Sequence, residues 1–327
     1  MLLLKARLAL ELPPINKALS RAAEGLPHPV RPIARHIFEA GGKRLRPLLT
    51  ILMARLLGYD KKDIYDLAVT MEMLHAATLL HDDVLDNADT RRGKPAVHTR
   101  WNDNVAILSG DAMMIYAYKL LCGCDRRVLQ QLLETFNETA IGVCEGQQYD
   151  MDFESRDDVT VDRYLEMIRL KTGVLLAGAL KLGAICAEAQ PWQAELLYNF
   201  GINVGLAFQL QDDLFDTYGD AAVFGKPIGG DILAGKKTFL LTTALKTADA
   251  ATRGELLARL HDGGMSAAEK IETVRGIYDR LGVRKITEKA IADYFRNADR
   301  ILNSLEVGIE RIVPLQELSE TLLNRKK

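Results

Sequence analysis

The chain has 327 residues, with 42 Lys+Arg against 44 Asp+Glu for a formal charge of −2, and 48% hydrophobic and 26% charged residues. That mix excludes an intrinsically disordered chain, and the near-neutral balance excludes a nucleic-acid partner held by bulk phosphate neutralisation. The longest apolar stretch, Val174 to Leu180 before Lys181, is far short of the roughly 20 residues that span a bilayer, so no transmembrane segment is expected.

Met1-Leu-Leu-Leu reaches Lys5, Arg7 and Glu11 at once, which is not the pattern of a signal peptide. The four cysteines, Cys122, Cys124, Cys144 and Cys186, are too few for a disulfide framework and read as core thiols in a reducing, cytoplasmic compartment. No proline falls between Pro95 and Pro191 or between Pro227 and Pro314. Because proline costs about 3 kcal/mol inside a helix, such intervals suit packed helices. Strand alternation is almost absent, so the chain reads as all-α. Without a composition break it reads as a single domain over 1–327.

In chain order, Gly41-Gly42-Lys43-Arg44-Leu45-Arg46-Pro47 sets three cations behind two glycines that let a ligand approach the backbone. It lacks the GxxxxGK[ST] pattern of a Walker loop. Lys43 and Arg46 are spaced to share a helical face and to hold a diphosphate. A helix is predicted from an N-cap at Asp60 to about Asn87, with Ile64, Leu67, Ala68, Met71, Leu74 and Thr78 as its apolar stripe. His75 lies two turns before Asp82, where an imidazole either satisfies the core or donates to a phosphate. A second helix is predicted after Thr160, carrying Tyr164, Met167, Ile168, Lys171 and Leu175 on one side. A third is predicted over 196–218, and Ser266-Ala-Ala-Glu269 is a capping box opening a helix with Ile271, Val274 and Tyr278 inward.

The strongest signal is a repeated acidic pattern. His81-Asp82-Asp83-Val-Leu-Asp86 and Gln211-Asp212-Asp213-Leu-Phe-Asp216 each end an apolar helix. Aspartates at i, i+1 and i+4 repel one another and oppose the helix dipole at a C-terminus. A chain is expected to carry that cost twice only where cations neutralise it. The ligands are hard oxygens with no thiolate among them, which selects Mg²⁺ or Mn²⁺ completed by substrate phosphates. Arg91 and Arg92 follow the first motif. Lys171-Thr172, Lys226 and Lys236 extend the set of cations.

These residues resemble the trans-isoprenyl diphosphate synthases, the family of farnesyl, geranylgeranyl and longer polyprenyl diphosphate synthases. The resemblance runs from about Gly41 to Thr238 through GGKRLRP, HDDVLDNADTRRG, LSGDAM, EGQQYDM, LKTG, FQLQDDLFD and GKPIGGDILAGKKT. It implies a bundle of mostly antiparallel helices around a central cavity, usually as a homodimer. It also implies three Mg²⁺ ions, with Asp82 and Asp86 binding two and Asp212 the third, while Asp83, Asp213 and Asp216 support them. Arg91, Lys171, Thr172, Gln209, Lys226 and Lys236 would surround an allylic diphosphate, and Lys43, Arg46, His75 and Arg92 would hold isopentenyl diphosphate. Asp82, Asp86, Lys171, Gln209 and Asp212 form the implied catalytic set. The C-terminal Asn324-Arg325-Lys-Lys matches the family's basic tail only loosely and receives no role.

The implied reaction extends an allylic diphosphate with isopentenyl diphosphate, the proton passing to the released diphosphate. In this family the residues four and five before the first motif close the product tunnel when bulky. Here they are the small Thr78 and Ala77, so a product of twenty carbons or longer is expected, with Met71, Leu74, Tyr118 or Phe136 as a deeper floor. The alternatives are a farnesyl-length synthase, a class I terpene cyclase and a non-catalytic partner subunit. A cyclase normally mixes Asn, Ser or Thr with Glu in its second metal motif, and a partner subunit tends to lose one motif. Both aspartate motifs are intact here.

Overall fold

The computed structural model describes residues 2–219 and 228–324. Lys226 and the basic residues from Arg325 onward lie outside the described residues. The all-α expectation holds: among the described residues the strands are one two-residue antiparallel ladder, β1 (Thr90–Arg91) with β2 (Lys94–Pro95). The helices divide into two compact units. One is Met1–Ile141, Leu175–Tyr198 and Leu305–Pro314; the other is Gly142–Val174, Asn199–Ser304 and Leu315–Lys327.

In the first unit, α1 (Leu2–Gly25), α2 (Arg31–Glu39) and α3 (Leu45–Leu56) precede α4 (Ile64–Leu85). After the ladder come the short α5 (Val97–Arg100) and α6 (Asp103–Leu121). Helix α4 packs against α1, α3 and α6. It is therefore buried nearly all round (Ile64, Leu67 to Leu74, Ala76, Ala77 and Leu80) rather than along the single predicted stripe. Its N-cap is Asp63, three residues later than predicted, because Asp60 faces Arg55 while the Asp63 carboxylate accepts the Tyr59 hydroxyl at 2.8 Å. Helix α6 can lie close to α4 because Gly110 leaves space; a Cβ there would stand 2.3 Å from His81 Nε2.

Helix α7 (Leu129–Glu154) follows α6, and α8 (Val161–Ile168) begins after Thr160 as predicted, with the Thr160 hydroxyl accepting the Arg163 N–H at 3.3 Å. The predicted continuous helix is interrupted by a π-helical turn, Arg169–Gly173, before α9 (Val174–Cys186). Helix α10 (Pro191–Tyr218) ends where predicted and starts five residues earlier, on a proline suited to a first helical turn. In the second unit, helices Phe239–Thr247, Ala250–His261, Ala267–Arg280 and Val283–Asn303 enclose a core that includes Leu240, Leu245, Leu256, Val274, Ile277 and Tyr278. Ser266 caps its helix through the Glu269 N–H at 3.3 Å.

Two expectations are corrected, after one departure from the usual place of proline. Pro13, Pro14 and Pro314 lie inside helices; at the first two, Ala9 and Leu10 are exposed, so the carbonyls that lose their helical partners meet water. The cysteines are free but not core thiols. Cys122 is exposed at the end of α6 and Cys144 on the outer side of α7, while Cys124 and Cys186 are partly buried. Lys43 and Arg46 do not share a helical face, because Gly41, Gly42 and Arg44 have left-handed backbones and α3 begins only at Leu45.

Candidate active site

The first aspartate motif terminates α4. Asp86 is the C-cap, Asn87 adopts a left-handed φ of 50°, and the Ala88 N–H bonds back to the Asp83 carbonyl at 2.9 Å, which closes the helix end. The chain then reverses at Arg92-Gly93, with φ values of 53° and 75°, the signature of a type I′ hairpin. That reversal folds Arg91 back onto the motif. Its Nε donates to Asp83 Oδ1 at 2.7 Å and its Nη2 to Asp82 Oδ2 at 3.2 Å. Burial opposes the Arg91 charge, but Asp83, Asp82 and Asp86 outweigh it and hold the guanidinium more firmly protonated than usual. The Asp83 side chain is only 2% exposed and Asp82 20%, so Asp83 is the structural partner and Asp82 the accessible one. His36 anchors the hairpin's far strand. Arg100 Nη1 donates to His36 Nδ1 at 2.9 Å, which leaves Nε2–H to donate to the Pro95 carbonyl at 2.9 Å.

The structure gathers Arg46, His75 and Arg92 in the same unit. Burial pushes the Arg46 guanidinium down to about 10, Glu72 opposing and Arg92 adding to the shift. Its buried Nε has no hydrogen-bond partner among the described residues. His75 is held well below its ordinary 6.5 by burial first, then by Arg46, Arg92, Arg91 and Arg44, so it stands neutral. Arg92 is lowered by burial and by Arg44 and Arg91; it donates to the Gly41 carbonyl. A Cβ on Gly42 would lie 2.8 Å from Arg92 Nη1, so glycine is required there. Lys43 sits exposed on the same loop. A neutral donor among arginines, one of them with a buried and unmet N–H, is a cluster suited to an anion.

In the second unit, Asp213 is 3% exposed. It accepts the Tyr164 hydroxyl, the Gln209 amide at 3.1 Å and the Phe239 N–H at 3.2 Å. Burial pushes Asp213 up to about 6 despite these donors. Thr172 donates to Gln209 Oε1 at 3.2 Å, and Lys171 Nζ to Asp150 at 2.6 Å. Asp216 accepts the Asp231 N–H at 2.9 Å. Asp231 is pushed up to about 7 by burial, then by Asp216 and Asp213, with Lys236 opposing. Asp150, Tyr164, Lys171, Thr172, Gln209, Asp213, Asp231 and Lys236 line a pocket of about 120 Å³. The π-helical turn presents Lys171 and Thr172 there. Gly146 of α7 makes room for the turn, since a Cβ would stand 2.3 Å from the Lys171 amide nitrogen.

Carboxylates this crowded, two of them protonating near neutrality, fit hard divalent cations by donor type. Among the described residues no three His, Cys, Asp or Glu side chains converge on one ion position. Ala77 is fully buried on α4, and Thr78 is partly buried with its hydroxyl turned to the His75 carbonyl at 2.9 Å. Of the suggested deeper residues, Met71, Leu74 and Phe136 are fully buried, and Tyr118 stands edge-on to Phe136 with ring centres 5.0 Å apart.

Sequence reasoning missed Glu72, Asp150, Tyr164 and Asp231. The first was visible as the one acid inside the apolar run of α4, and Asp150 and Asp231 sit within motifs already noted. Tyr164 carried no signal beyond its place on an apolar side.

The polyprenyl synthetase family profile matches residues 27–278. A geranylgeranyl diphosphate synthase of Methanosarcina mazei is 36% identical over 292 residues, covering 89% of this chain and 85% of its own length. A crystal structure of a geranylgeranyl pyrophosphate synthase is 40% identical with a TM-score of 0.87, covering 99% of this chain and 98% of that one. The geranylgeranyl pyrophosphate synthase of Corynebacterium glutamicum, solved with isoprenyl diphosphate and magnesium, is 27% identical with a TM-score of 0.83, covering 95% and 97%. With the fold, both aspartate motifs and these relatives in agreement, the chain belongs to the polyprenyl synthetase family and is a prenyltransferase.

Proposed function

We propose that this prenyltransferase condenses an allylic diphosphate with isopentenyl diphosphate, in a Mg²⁺-dependent reaction, to give an all-trans polyprenyl diphosphate of twenty carbons or longer. The observation that carries the reading is the anion pocket at Arg46, where a buried guanidinium N–H waits for an acceptor beside neutral His75 and Arg92. There Arg46, Arg92 and Lys43 bind the diphosphate of isopentenyl diphosphate and the His75 N–H orients it. Lys171 and Lys236 bind the allylic diphosphate, Thr172 and Gln209 orient it, and Arg91 and Lys226 belong to the same set by their motifs.

Asp82, Asp86 and Asp212 would hold three Mg²⁺ ions, which when bound neutralise the diphosphate and ease its departure. The bond between allylic carbon and diphosphate oxygen breaks with its electrons going to oxygen. The isopentenyl double bond attacks the resulting cation, and the neighbouring C–H gives its proton to the released diphosphate. The cation-lined pockets stabilise the charge that develops as the diphosphate leaves. The small Ala77 supports a long product, as does the name of the Methanosarcina relative.

The chain is further proposed to act as a homodimer. Leu108 and Ile115, two turns apart on α6, and Ile141 on α7 are 66%, 69% and 67% exposed, large apolar side chains left in water in the single chain. Free cysteines support a cytoplasmic setting. Among the described residues no helix is long and apolar enough to cross a membrane.

The test is incubation of purified protein with an allylic diphosphate, labelled isopentenyl diphosphate and Mg²⁺, followed by chromatography of the products. Elongation to twenty carbons or beyond, abolished by chelation, is expected. Consumption of allylic diphosphate alone, or a product ending at fifteen carbons, overturns the reading.

A further inference from the structure

The loop entering α3 is held in a shape a free chain avoids. Gly41, Gly42 and Arg44 all have positive φ, at 87°, 132° and 47°. At the non-glycine Arg44 such a backbone is strained and persists only where surroundings impose it. Those surroundings are on the Arg44 side chain, which is 6% exposed. Its Nη1 donates to Glu72 Oε1 at 2.8 Å, its Nη2 to the Phe38 carbonyl at the end of α2, and its Nε to Asn16 Oδ1 of α1 at 3.4 Å. Glu72, 3% exposed, is the only charged residue among these partners. It stands one helical turn before His75 on α4. Two residues beyond Arg44 comes Arg46, with its unmet Nε, and Lys43 immediately precedes it.

We infer that Glu72 is a positioning residue: through Arg44 it fixes the left-handed loop and thereby sets Arg46 and Lys43 for isopentenyl diphosphate, without touching substrate. The inference rests on the isopentenyl diphosphate pocket proposed above. Each of the three Arg44 nitrogens already bonds a protein acceptor, at Glu72, Phe38 or Asn16, so Arg44 serves as the peg of the loop and leaves the ligand to its neighbours. Anchoring through α4 also joins the loop to the helix that carries His75. One buried carboxylate thus holds the pocket's two walls in register before substrate arrives. Preorganisation of this kind shows in substrate affinity, because a misplacement of about 1 Å in a binding group can cost up to about a hundredfold.

The test varies each substrate separately in steady-state kinetics on the full chain, with thermal unfolding alongside. Glu72→Gln and Arg44→Met are each expected to raise the KM for isopentenyl diphosphate about tenfold and to leave the allylic KM within about twofold. Glu72→Asp, which keeps the charge, is expected to fall between them and the parent. The double variant Arg44→Met/Glu72→Leu removes the pair without leaving a buried charge, and such replacements are often neutral for stability. It is expected to unfold near the parent's temperature yet keep the raised isopentenyl KM. A double variant with a normal isopentenyl KM, or one that loses its fold, overturns the inference. So does a parallel rise of both KM values. Arg46→Gln serves as the control: a normal isopentenyl KM there overturns the pocket reading itself, and Glu72's role with it.

Discussion

Asp82 and Asp83 are neighbours in sequence with different tasks, and the difference is their exposure to solvent. Asp83 is sealed against Arg91, whereas Asp82 remains partly open. Truncating Asp82 therefore removes an accessible carboxylate and leaves the Asp83–Arg91 pair intact. Asp82→Ala is expected to lower turnover at least about a hundredfold with unfolding temperature little changed, and near-normal turnover would refute its assignment. His75 makes a prediction about stability. Its folded-state pKa lies well below the unfolded 6.5, so the unfolded chain binds the proton more readily. Stability contributed by this site is complete above about 6.5 and falls as pH drops below it, at up to about 1.4 kcal/mol per pH unit. Asp213 and Asp231 act in the opposite sense. Raised from 3.8 to about 6 and about 7, they take up protons in the folded state and add stability as pH falls through that window. Denaturant unfolding of parent and His75→Gln, from pH 5 to 8 without metal, separates the two. The variant's stability relative to the parent should grow as pH falls below about 6.5. A pH-independent difference would mean that His75 is not buried neutral.

At the scale of the element, the feature that most shapes the second unit's pocket is the π-helical turn at Arg169–Gly173. Such a turn inserts one extra residue into a helix, and these turns are frequent at functional sites. Backbones crowd around it: a Cβ on Gly146 would meet the Lys171 nitrogen at 2.3 Å, and one on Gly205 the Gly173 Cα at 2.7 Å. No flexible side chain is there to move aside, so the turn itself must shift. Gly146→Ala is expected to raise the allylic KM about tenfold and leave the isopentenyl KM unchanged, as substrate-saturation curves would show. An unaffected allylic KM would detach Lys171 and Thr172 from that substrate. The turn also marks the limit of what the sequence disclosed. Helices, the helix start after Thr160, the Ser266 cap and both aspartate motifs were legible because each rests on local spacing. The π turn and the left-handed loop before α3 were not, because each is imposed by contacts distant in sequence, and spacing alone left open which of Asp60 and Asp63 starts α4. Glycines at 146 and 205 look like weak points in a helix until the neighbouring backbone is in place. The site was legible by residue type, since clustered carboxylates and cations advertise phosphate chemistry. Which carboxylates are sealed (Asp83, Asp213) and which arginine is a peg (Arg44) depended on burial.

For the molecule as a whole, the consequence of the fold is the length of what it makes. Helix α4 carries Asp82 at its end and Ala77 five residues earlier, about 7.5 Å back along the axis. Ala77 is fully buried, so its methyl group faces packed neighbours and not water. A phenylalanine at that position has to occupy space that alanine leaves to its surroundings. From Ala77 to the fully buried Met71 is about a further 9 Å of helix, and Leu74 lies between them. If the growing chain passes Ala77, its end is stopped by this deeper set, and blocking the passage at Ala77 must shorten the product. Ala77→Phe is accordingly expected to shift the product distribution by at least one five-carbon unit toward the farnesyl length. Overpacking is expected to cost about 1–3 kcal/mol of stability. The first-condensation rate should remain within about threefold of the parent, because the change lies more than a helical turn from Asp82. The shortening has to appear in variants that remain folded at the assay temperature, which circular dichroism establishes on the same samples. An unchanged product ladder from a folded Ala77→Phe protein would place the passage elsewhere and remove the basis for expecting twenty carbons or more.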